Sequence, residues 1–269
     1  MKNFIPAYWS SYVEKGIRNE LVLANWCDYK FDKKDFKKGD RVCVTGVNKP
    51  TVRTYDGSDI TIEDLGDNNQ YINITQADYV AFGIEDIDKA QGNPEFFNAE
   101  FDEAKYALAE KADKFVGELA KQADSTMISS STDISSEVNP LATIDAGRIK
   151  LYKNGVSQKE ELAADLNPEH CVLLQSKLAS LFTDNVEYVK RAALGKYGNI
   201  YLRMSNNLYN DGTDDYEMIR TKRATAFVDC VNKMETCPRE RKFGVAVKGL
   251  HNYGAKLMRR KEMYVIKVH

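Results

Sequence analysis

The sequence predicts an α+β fold. Short β-type runs separated by turn residues occupy residues 37–90, and one long amphipathic helix follows them. In the second half of the chain, helical and strand patterns alternate. With 269 residues, 43% of them hydrophobic, the chain has enough apolar side chains for one large or two small domains, which excludes wholesale disorder.

The β-type part of the chain begins at Lys37. The predicted strands are residues 41–47, 50–55, 59–62, 70–75 and 79–84, with turn residues such as Asp56-Gly57 between them. These strands carry few large apolar side chains, and an isolated hairpin with so thin an apolar face is marginal in water. We therefore expect the hairpin to lie on another surface, which is the body of the protein in a monomer and the next subunit in an assembly.

The clearest periodicity in the chain predicts a helix over residues 94–121. Asn93 and Pro94 form a strong helix start, because a capping side chain precedes a residue suited to the first helical position. Apolar side chains then recur every three or four residues: Phe97, Phe101, Ala104, Leu108, Ala112, Phe115 and Leu119. A helix of about 28 residues spans about 42 Å, far longer than the average of about 11 residues, so we expect it to be the spine of the fold.

Residues 124–139 are rich in serine and threonine and predict a loop between two subdomains. Beyond this loop the sequence predicts two helices, two strands and a polar loop. The helices are residues 143–154 and a segment that starts at Asn167-Pro168, the strands are residues 162–166 and 199–204, and the loop is residues 206–215. This alternation completes the α+β assignment.

The N-terminal residues 1–34 resemble an arm. A helix that starts near Ser10 and ends at Asn25 would place Val13, Ile17, Leu21 and Ala24 on one face. The stripe is short for a core helix, so two alternatives stay open. The arm packs on its own subunit or on a neighbouring one.

The C-terminal residues 243–268 predict two strands around the basic turn Arg259-Arg260-Lys261. Three glycines, Gly244, Gly249 and Gly254, lie within the first of these strands. Glycine weakens a strand unless another backbone approaches closely or the strand bends. We therefore expect this strand to pack against something outside its own core.

Charge is unevenly distributed, although the net charge is only −2. Residues 54–103 contain thirteen acids and one lysine, whereas residues 239–269 contain nine bases and two acids. The chain has no apolar run of about 18 residues that predicts a membrane span, and its N-terminus does not match a signal peptide. The five cysteines form no Cys-x-x-Cys pair, which favours free buried thiols in a reducing compartment.

Motifs that resemble chemical sites fit structural roles better. The run from Gly249 to Lys256 lacks the Ser or Thr that follows the lysine of a phosphate loop. The acidic residues 211–217 lack the alternating oxygen ligands of a calcium loop, so a solvated loop is favoured. His170 and Cys171 are adjacent on a helix and point to different faces, which disfavours a nucleophile pair. We therefore predict no catalytic residue, no cofactor and no metal site.

Motifs spread along nearly the whole chain carry a family resemblance. In order they are Phe4-Ile5-Pro6, Leu21-Val22-Leu23-Ala24-Asn25, Lys38-Gly39-Asp40-Arg41-Val42, Val52-Arg53-Thr54-Tyr55, Gln76-Ala77-Asp78-Tyr79-Val80-Ala81-Phe82, Asp86-Ile87-Asp88-Lys89-Ala90-Gln91, Ser205-Asn206-Asn207-Leu208 and the C-terminal glycine strand. With these motifs in this order, the chain resembles the major capsid proteins of tailed bacteriophages, in particular the coat-protein branch typical of short-tailed phages. Proteins of this family have the Hong Kong 97-like fold, which encapsulin shells also use.

The resemblance implies four regions. They are an N-terminal arm at residues 1–35, an extended loop at 36–75, a peripheral domain at 76–144 and 227–269 that contains the spine helix, and an axial domain at 145–226. It also implies self-assembly into hexamers and pentamers that form an icosahedral head around double-stranded DNA. Such a protein is part of the virion and assembles in the host bacterial cytoplasm. No scaffolding segment precedes Phe4, so a separate scaffolding protein and a portal are the expected partners, with non-specific proximity to DNA and no membrane.

The charge split suggests how subunits meet. In the family the extended loop lies across the adjacent subunit, which would bring loop acids to basic residues of that neighbour. The expected acids are Asp56, Asp59, Glu63, Asp64 and Asp67, and the expected bases are Arg239, Arg241, Lys242, Arg259, Arg260 and Lys261. Two alternatives to a phage head stay open: an encapsulin-like shell around a cargo enzyme, and a cytosolic α+β enzyme that uses His170 or the acidic loop.

Overall fold

A computed structural model describes residues 17, 21–30, 37–47, 51–55, 57, 67–85, 94–134, 140–177, 194–239 and 244–269. These residues form three α-helices and twelve strands, and the strands are arranged in three sheets. The predicted α+β fold is confirmed.

The longest helix, α1, is Pro94–Gly117. A 3₁₀ segment, Glu118–Gln122, continues it, so the predicted spine over residues 94–121 is confirmed. Its buried face includes Leu108, Ala112 and Leu119, as the spacing of apolar residues predicts. Gly117 lets the end of the helix approach another segment closely, since a Cβ built there would lie 2.5 Å from the carbonyl oxygen of Asn207.

Two strands form the base of the predicted hairpin. Strand β1, Arg41–Val47, pairs antiparallel with β2, Asp67–Asn73, and the register runs from Arg41 opposite Asn73 to Val47 opposite Asp67. Both strands were expected. The strand expected at residues 50–55 is wrong for residues 51–55, which have no regular secondary structure. Their β-branched and aromatic side chains suit a strand, but a strand also needs a neighbour for its backbone groups.

A three-stranded antiparallel sheet lies beside α1. It has the order β10-β11-β3, with β3 at Gln76–Glu85, β10 at Thr225–Pro238 and β11 at Gly244–Leu257. The rings of Phe115 on α1 and Tyr253 on β11 meet edge to face at 5.6 Å. The expectation that the glycine strand packs outside its own core is wrong for its second half, where residues 251–254 are buried. A Cβ at Gly254 would lie 2.4 Å from the carbonyl oxygen of Asn73, so this glycine admits a backbone of the same chain.

A seven-stranded sheet contains the remaining strands. These are β4 (Ile128–Thr132), β5 (Leu162–Leu166), β6 (Gly195–Tyr197), β7 (Ile200–Met204), β8 (Tyr209–Asn210), β9 (Asp215–Thr221) and β12 (Met263–Val268). Their order is β4-β12-β9-β5-β7-β6, and β8 pairs with β9. The chain therefore returns from the three-stranded sheet to finish in this one.

Two helices pack on the seven-stranded sheet, α2 at Pro140–Lys153 and α3 at Pro168–Lys177. Ile144 and Leu151 of α2 and Leu174 of α3 share a buried cluster with Ile219 of the sheet. The Asn167-Pro168 helix start is confirmed, because the Asn167 side chain accepts a hydrogen bond of 2.7 Å from the amide of His170.

Two predicted loops contain strands. Residues 124–139 include β4, which pairs in parallel with β12. Residues 206–215 include β8, which pairs with the start of β9. In both cases the segment forms a strand because a neighbouring strand offers backbone partners, β12 for β4 and residues Asp215-Tyr216 of β9 for β8.

The described part of the N-terminal segment is buried in its own subunit. Ile17, Leu21 and Ala24 belong to the cluster that α1 contributes to, so of the two alternatives the core of the same chain is correct for these residues. The predicted helix does not continue to Asn25, because a 3₁₀ turn, Ala24–Trp26, follows three residues without helical structure. Val13 lies outside the described residues.

Candidate inter-subunit surfaces

The turn between β11 and β12 carries three exposed basic residues, Arg259, Arg260 and Lys261. The Arg259 guanidinium donates to Glu262 at 2.8 Å, and Glu262 also accepts a bond of 2.8 Å from Nε of Arg223. Burial raises the pKa of Glu262, but hydrogen bonds led by that of Arg223 outweigh burial and hold this pKa below its usual value. Glu262 therefore stays ionised and balances the charge of Arg259 within the subunit.

Arg260 and Lys261 have no such partner, since neither forms an ion pair within the residues that the structure describes. Their positive charges do act on Asp124. Hydrogen bonds from Thr126 lower the pKa of Asp124, and the charges of Lys261 and Arg260 add to this effect. The two cations are thus available for an acidic partner beyond these residues.

The base of the β1–β2 hairpin lies beside the end of β11 in the same chain. Nζ of Lys256 donates to the Tyr71 carbonyl at 2.9 Å, and Nε2 of Gln70 donates to the Met258 carbonyl at 3.4 Å. Along this contact, the chain leaves β11 toward the basic turn, and the residues of β2 beside it run in reverse order from Tyr71 toward Asp67. Asp67 is three residues beyond Gln70, about 10 Å along the strand, so the hairpin base runs toward the basic turn of its own chain.

The other predicted contact residues fall into two groups. Arg239 packs on its own subunit, because a Cβ built at Gly83 of β3 would lie 2.8 Å from its Cζ, and its amide donates to the Gly244 carbonyl at 3.1 Å. Six more lie outside the described residues: Asp56, Asp59, Glu63, Asp64, Arg241 and Lys242. Their pairing between subunits stays a prediction.

Large apolar side chains are exposed on the hairpin and on β3. Val52 and Tyr55 are 91% and 73% exposed, and Tyr79 on β3 is 77% exposed. Strand β3 is also an edge strand within the described part of the chain, since only β11 pairs with it there. Exposed aromatic groups next to an unpaired strand edge are typical of a surface that another chain covers.

His170 is a buried structural residue. Its Nδ1 lies 2.7 Å from a carboxylate oxygen of Glu217, and its Nε2 lies 3.0 Å from the Pro140 carbonyl oxygen. Burial lowers the pKa of His170, but the hydrogen bond to Glu217 and the charge of that residue outweigh burial and raise the pKa above its usual value. Burial, with a smaller contribution from Glu217, raises the pKa of Cys171 to about 12, so its thiol is a poor nucleophile at neutral pH.

Asp211 in the acidic loop at residues 211–217 holds its own turn. Oδ1 of Asp211 accepts hydrogen bonds from the amides of Thr213 and Asp214 at 3.0 and 2.8 Å, and Oδ2 accepts one from the hydroxyl of Tyr216 at 3.0 Å. Within the described ranges, no group of three or more His, Cys, Asp or Glu side chains is placed to hold a metal ion. The other three carboxylates also have partners in the same chain: Asp214 accepts a bond of 2.7 Å from the hydroxyl of Ser131, Asp215 accepts bonds from Asn210 and Asn167, and Glu217 bonds His170.

The remaining motifs are parts of regular structure. Gly249 to Lys256 lies within β11, which pairs on both sides, so it has no phosphate loop. No two cysteines form a disulfide among the described residues, which include all five, and Cys43 is exposed rather than buried as predicted. None of the described helices is both long and apolar enough to cross a bilayer.

Comparison with known proteins finds similarity in structure only. No family model matches the chain, and no curated protein matches it. A chain of Mycobacterium phage Che8 superposes with a TM-score of 0.66 at 22% identity, over 91% of this chain and 90% of that one. The capsid of Ralstonia phage GP4 gives a TM-score of 0.68 at 11% identity, over 91% and 87% of the two chains.

A virus-like particle from Pyrococcus furiosus is also similar, with a TM-score of 0.60 at 13% identity over 97% of this chain and 98% of that chain. These alignments cover at least 87% of each chain, so the similarity extends over most of the fold. The protein therefore has the Hong Kong 97-like α+β fold that was expected from its sequence.

Proposed function

We propose that this chain is the major capsid protein of a tailed bacteriophage and that it assembles into hexamers and pentamers forming an icosahedral head around double-stranded DNA. The observation that carries the proposal is the extent of the structural similarity. The capsid of Ralstonia phage GP4 and the virus-like particle of Pyrococcus furiosus are both shells, and each aligns over at least 91% of this chain. A fold that has built shells in these proteins fits the same role here.

The surface of the subunit supports assembly on physical grounds. Val52, Tyr55 and Tyr79 together expose apolar area that a stable monomer would be expected to bury. By contrast the charged residues Asp165, Arg203 and Arg220 are fully buried and bonded to each other. The subunit thus pairs these buried charges with each other and leaves apolar groups outside, a distribution that favours association with further copies.

The proposed regions keep their sequence-based limits: an arm at residues 1–35, an extended loop at 36–75, a peripheral domain at 76–144 and 227–269, and an axial domain at 145–226. Strand β12 joins the sheet built mainly from the last of these regions. In the proposed shell, the α1 side of the subunit forms the periphery of a capsomer and the seven-stranded sheet faces its axis.

The proposed partners are other copies of the chain, a separate scaffolding protein, a portal and, without sequence specificity, the packaged DNA. The short-tailed branch is proposed from the order of the sequence motifs. The location would be the virion after assembly in the host bacterial cytoplasm. No enzymatic activity is proposed, because His170, Cys171 and the acidic loop all have structural partners.

The contact between subunits that we propose joins the acidic extended loop of one chain to the basic turn of the next. Arg260 and Lys261 support this proposal best, since both are exposed and neither has an ion pair within the described part of its own subunit. Arg259 supports it less, because Glu262 already binds it. The hairpin base also approaches its own turn, so an intrachain pairing is the alternative that an experiment must separate.

The test of the function is expression of the full chain followed by size-exclusion chromatography and electron microscopy. Closed shells, or capsomers that close when a scaffolding protein from the same genome is added, are the expected result. A monodisperse monomer under both conditions contradicts the proposal.

An encapsulin-like compartment is the second candidate. The virus-like particle of Pyrococcus furiosus favours it, because the alignment with that chain covers 97% of this one. Shells purified from the native source separate the two functions. Nuclease-resistant DNA of genome length inside the shell supports a phage head, whereas one abundant folded enzyme inside it supports a compartment.

A further inference from the structure

Residues 21–28 form a segment that we name the strap. Leu21, Leu23, Trp26 and Cys27 within it are buried, although its regular structure is limited to the 3₁₀ turn Ala24–Trp26. Buried backbone outside helices and sheets must find other hydrogen-bond partners. The partners of the strap are therefore informative about what holds it.

One partner is a carboxylate on α1. Asp113 accepts hydrogen bonds from three consecutive amides of the strap, Val22 at 2.7 Å, Leu23 at 3.2 Å and Ala24 at 2.9 Å. Asp113 is 1% exposed. It binds the strap through its backbone, in the way that a negative group binds the free amides at the start of a helix.

The opposite side of the strap meets two arginines of the seven-stranded sheet. Arg203 on β7 donates to the Val22 carbonyl at 2.6 Å, and Arg220 on β9 donates to the Leu23 carbonyl at 2.6 Å. Asp165 on β5 bonds both guanidinium groups. All three charged residues are fully buried.

The strap also contacts both sheets outside this charged cluster. The rings of Trp26 and Tyr201 on β7 lie 5.2 Å apart. Asp28 forms a parallel bridge with Ala226 at the start of β10, and its carbonyl accepts a bond of 3.2 Å from the amide of Phe227. One short segment is thus bound by α1, by the three-stranded sheet and by the seven-stranded sheet.

The charges make this attachment cooperative. Burial raises the pKa of Asp113, and hydrogen bonds from the three strap amides, with the charge of Arg203, oppose that rise, so the carboxylate depends on the strap. If the strap left, Asp113 would lose three backbone donors and each arginine would lose a backbone acceptor. Buried charges without hydrogen-bond partners are strongly unfavourable, so the contacts on both sides should form and break together.

We propose that the strap is a clamp that helps to fix the α1 half of the subunit to the seven-stranded half, beside the apolar cluster that Met218, Met263 and Val265 of the sheet share with α1, and that opening it loosens the relative orientation of the two halves. In a shell, the angle between these halves contributes to the curvature of each capsomer. A weakened clamp should therefore broaden the distribution of shell sizes. The part of the inference that concerns shells rests on the proposed function, whereas the part that concerns the subunit does not.

Two variants open the clamp from opposite sides. Asp113→Asn weakens the bonds to the strap amides directly, and Arg220→Lys keeps a positive charge but loses the planar group that reaches the Leu23 carbonyl. Glu110→Gln is the matched control for the first, because Glu110 is a carboxylate on the same helix whose salt bridge to Lys114 is at the surface. Arg223→Lys is the control for the second, since Arg223 is more than one third exposed.

Hydrogen exchange on unassembled subunits measures how readily the strap amides detach from Asp113. We expect the amides of residues 22–24 to exchange about tenfold faster in Asp113→Asn, the change expected for one lost charge-assisted hydrogen bond. Arg220→Lys touches none of these amides, so faster exchange of residues 22–24 in that variant reports concerted opening. Unchanged exchange there, or an equal increase across β5 and β11, overturns the clamp.

Electron micrographs of assembled material test the predicted effect of the clamp on shell size. Both clamp variants should give shells with a wider range of diameters than the wild type or either control. Uniform shells of wild-type size from a variant with an open clamp overturn the role in curvature. If the wild type forms no shells at all, the proposed function fails, while the exchange experiment still decides whether the clamp exists.

Discussion

The seven-stranded sheet and the β1–β2 hairpin with its adjoining loop place polar and apolar groups in opposite ways. The sheet buries charged residues such as Asp165, Arg203 and Arg220 and gives each a partner from the same chain. The hairpin region exposes Val52 and Tyr55 instead. A region that satisfies even its buried charges internally can fold alone, whereas a region with apolar groups in water gains stability only when another surface covers it.

Deletion of residues 49–66 tests this difference most severely. The β1–β2 base would remain, because its ladder ends at Val47 and Asp67. We expect a subunit with an unchanged melting temperature that forms no closed shells, since the deletion removes surface that only assembly would cover. Calorimetry measures the melting temperature, and electron microscopy shows whether closed shells form. Normal shells from the deleted chain would contradict the role of the loop.

Asp165→Asn tests the other side of the comparison. The carboxylate of Asp165 neutralises two fully buried arginines, so its loss should destabilise the subunit by about 3–5 kcal/mol, as measured by denaturant unfolding. Asp145→Asn is the matched control, because Asp145 pairs with Arg148 on a partly exposed helix face. That change should cost at most about 1 kcal/mol. Equal effects of the two substitutions would mean that the buried network is not what stabilises the sheet.

The His170–Glu217 pair makes the same half sensitive to pH. The pKa of His170 is raised in the folded state, so its contribution is complete below the unfolded value of about 6.5 and is lost as pH rises through the folded value. Unfolding of the wild type should therefore become easier between neutral and alkaline pH. His170→Asn should cost about 1–3 kcal/mol at pH 6 and remove most of this slope.

His269→Asn is the control for that experiment. The His269 ring is exposed at the C-terminus, where its Nδ1 lies 2.9 Å from the Thr213 carbonyl oxygen. Its replacement should leave the pH dependence of unfolding unchanged. A pH slope that survives in His170→Asn would assign the effect to other groups.

The sequence predicts the elements that follow from local chemistry. The periodicity of α1, the Asn167 cap and the strands β1, β5 and β7 all follow from residues within a few positions of each other. Strand β4 does not, because its serines form a strand only beside β12. The strap was missed for a related reason. Asp113 and Arg203 interrupt apolar patterns and so indicate buried partners, but a single sequence does not reveal that both partners are the backbone of residues 22–24.

For the inter-subunit surface, the sequence located the charges without deciding their partners. The spacing of Arg259 and Glu262 by three residues was a signal for a local pair, and the structure contains that pair. The direction of the hairpin base toward its own basic turn depends on the bonds of Gln70 to Met258 and of Lys256 on β11 to Tyr71, which join residues 188 and 185 positions apart in the sequence. Such a long-range register has no local signal.

The smallest expected effects per contact are those of the basic turn, where each exposed pair contributes only about 0.2–1 kcal/mol. Arg260→Glu with Lys261→Glu should nevertheless slow or prevent assembly, because closed symmetry repeats each contact around the shell. Assembly of the wild type should weaken in high salt, as the screening length falls from about 10 Å at 0.1 M to about 3 Å at 1 M. Arg259→Glu should act differently and destabilise the subunit slightly, since it breaks the pair with Glu262.

Mixing two defective chains decides whether the pairing lies between subunits or within one. The first chain carries Arg260→Glu and Lys261→Glu, and the second carries lysine in place of the loop acids Asp56, Asp59, Glu63 and Asp64. Each chain alone opposes like charges in every contact. If the loop meets the turn of the next subunit, alternation of the two chains around a hexamer restores every pair, and light scattering should show assembly of the mixture. A pentamer has an odd number of subunits and cannot alternate completely, so restoration should be partial.

If the pairing is within one chain, mixing restores nothing, whereas all substitutions combined in a single chain restore assembly in both cases. Failure of the mixture beside success of the combined chain would therefore assign the acids to their own basic turn.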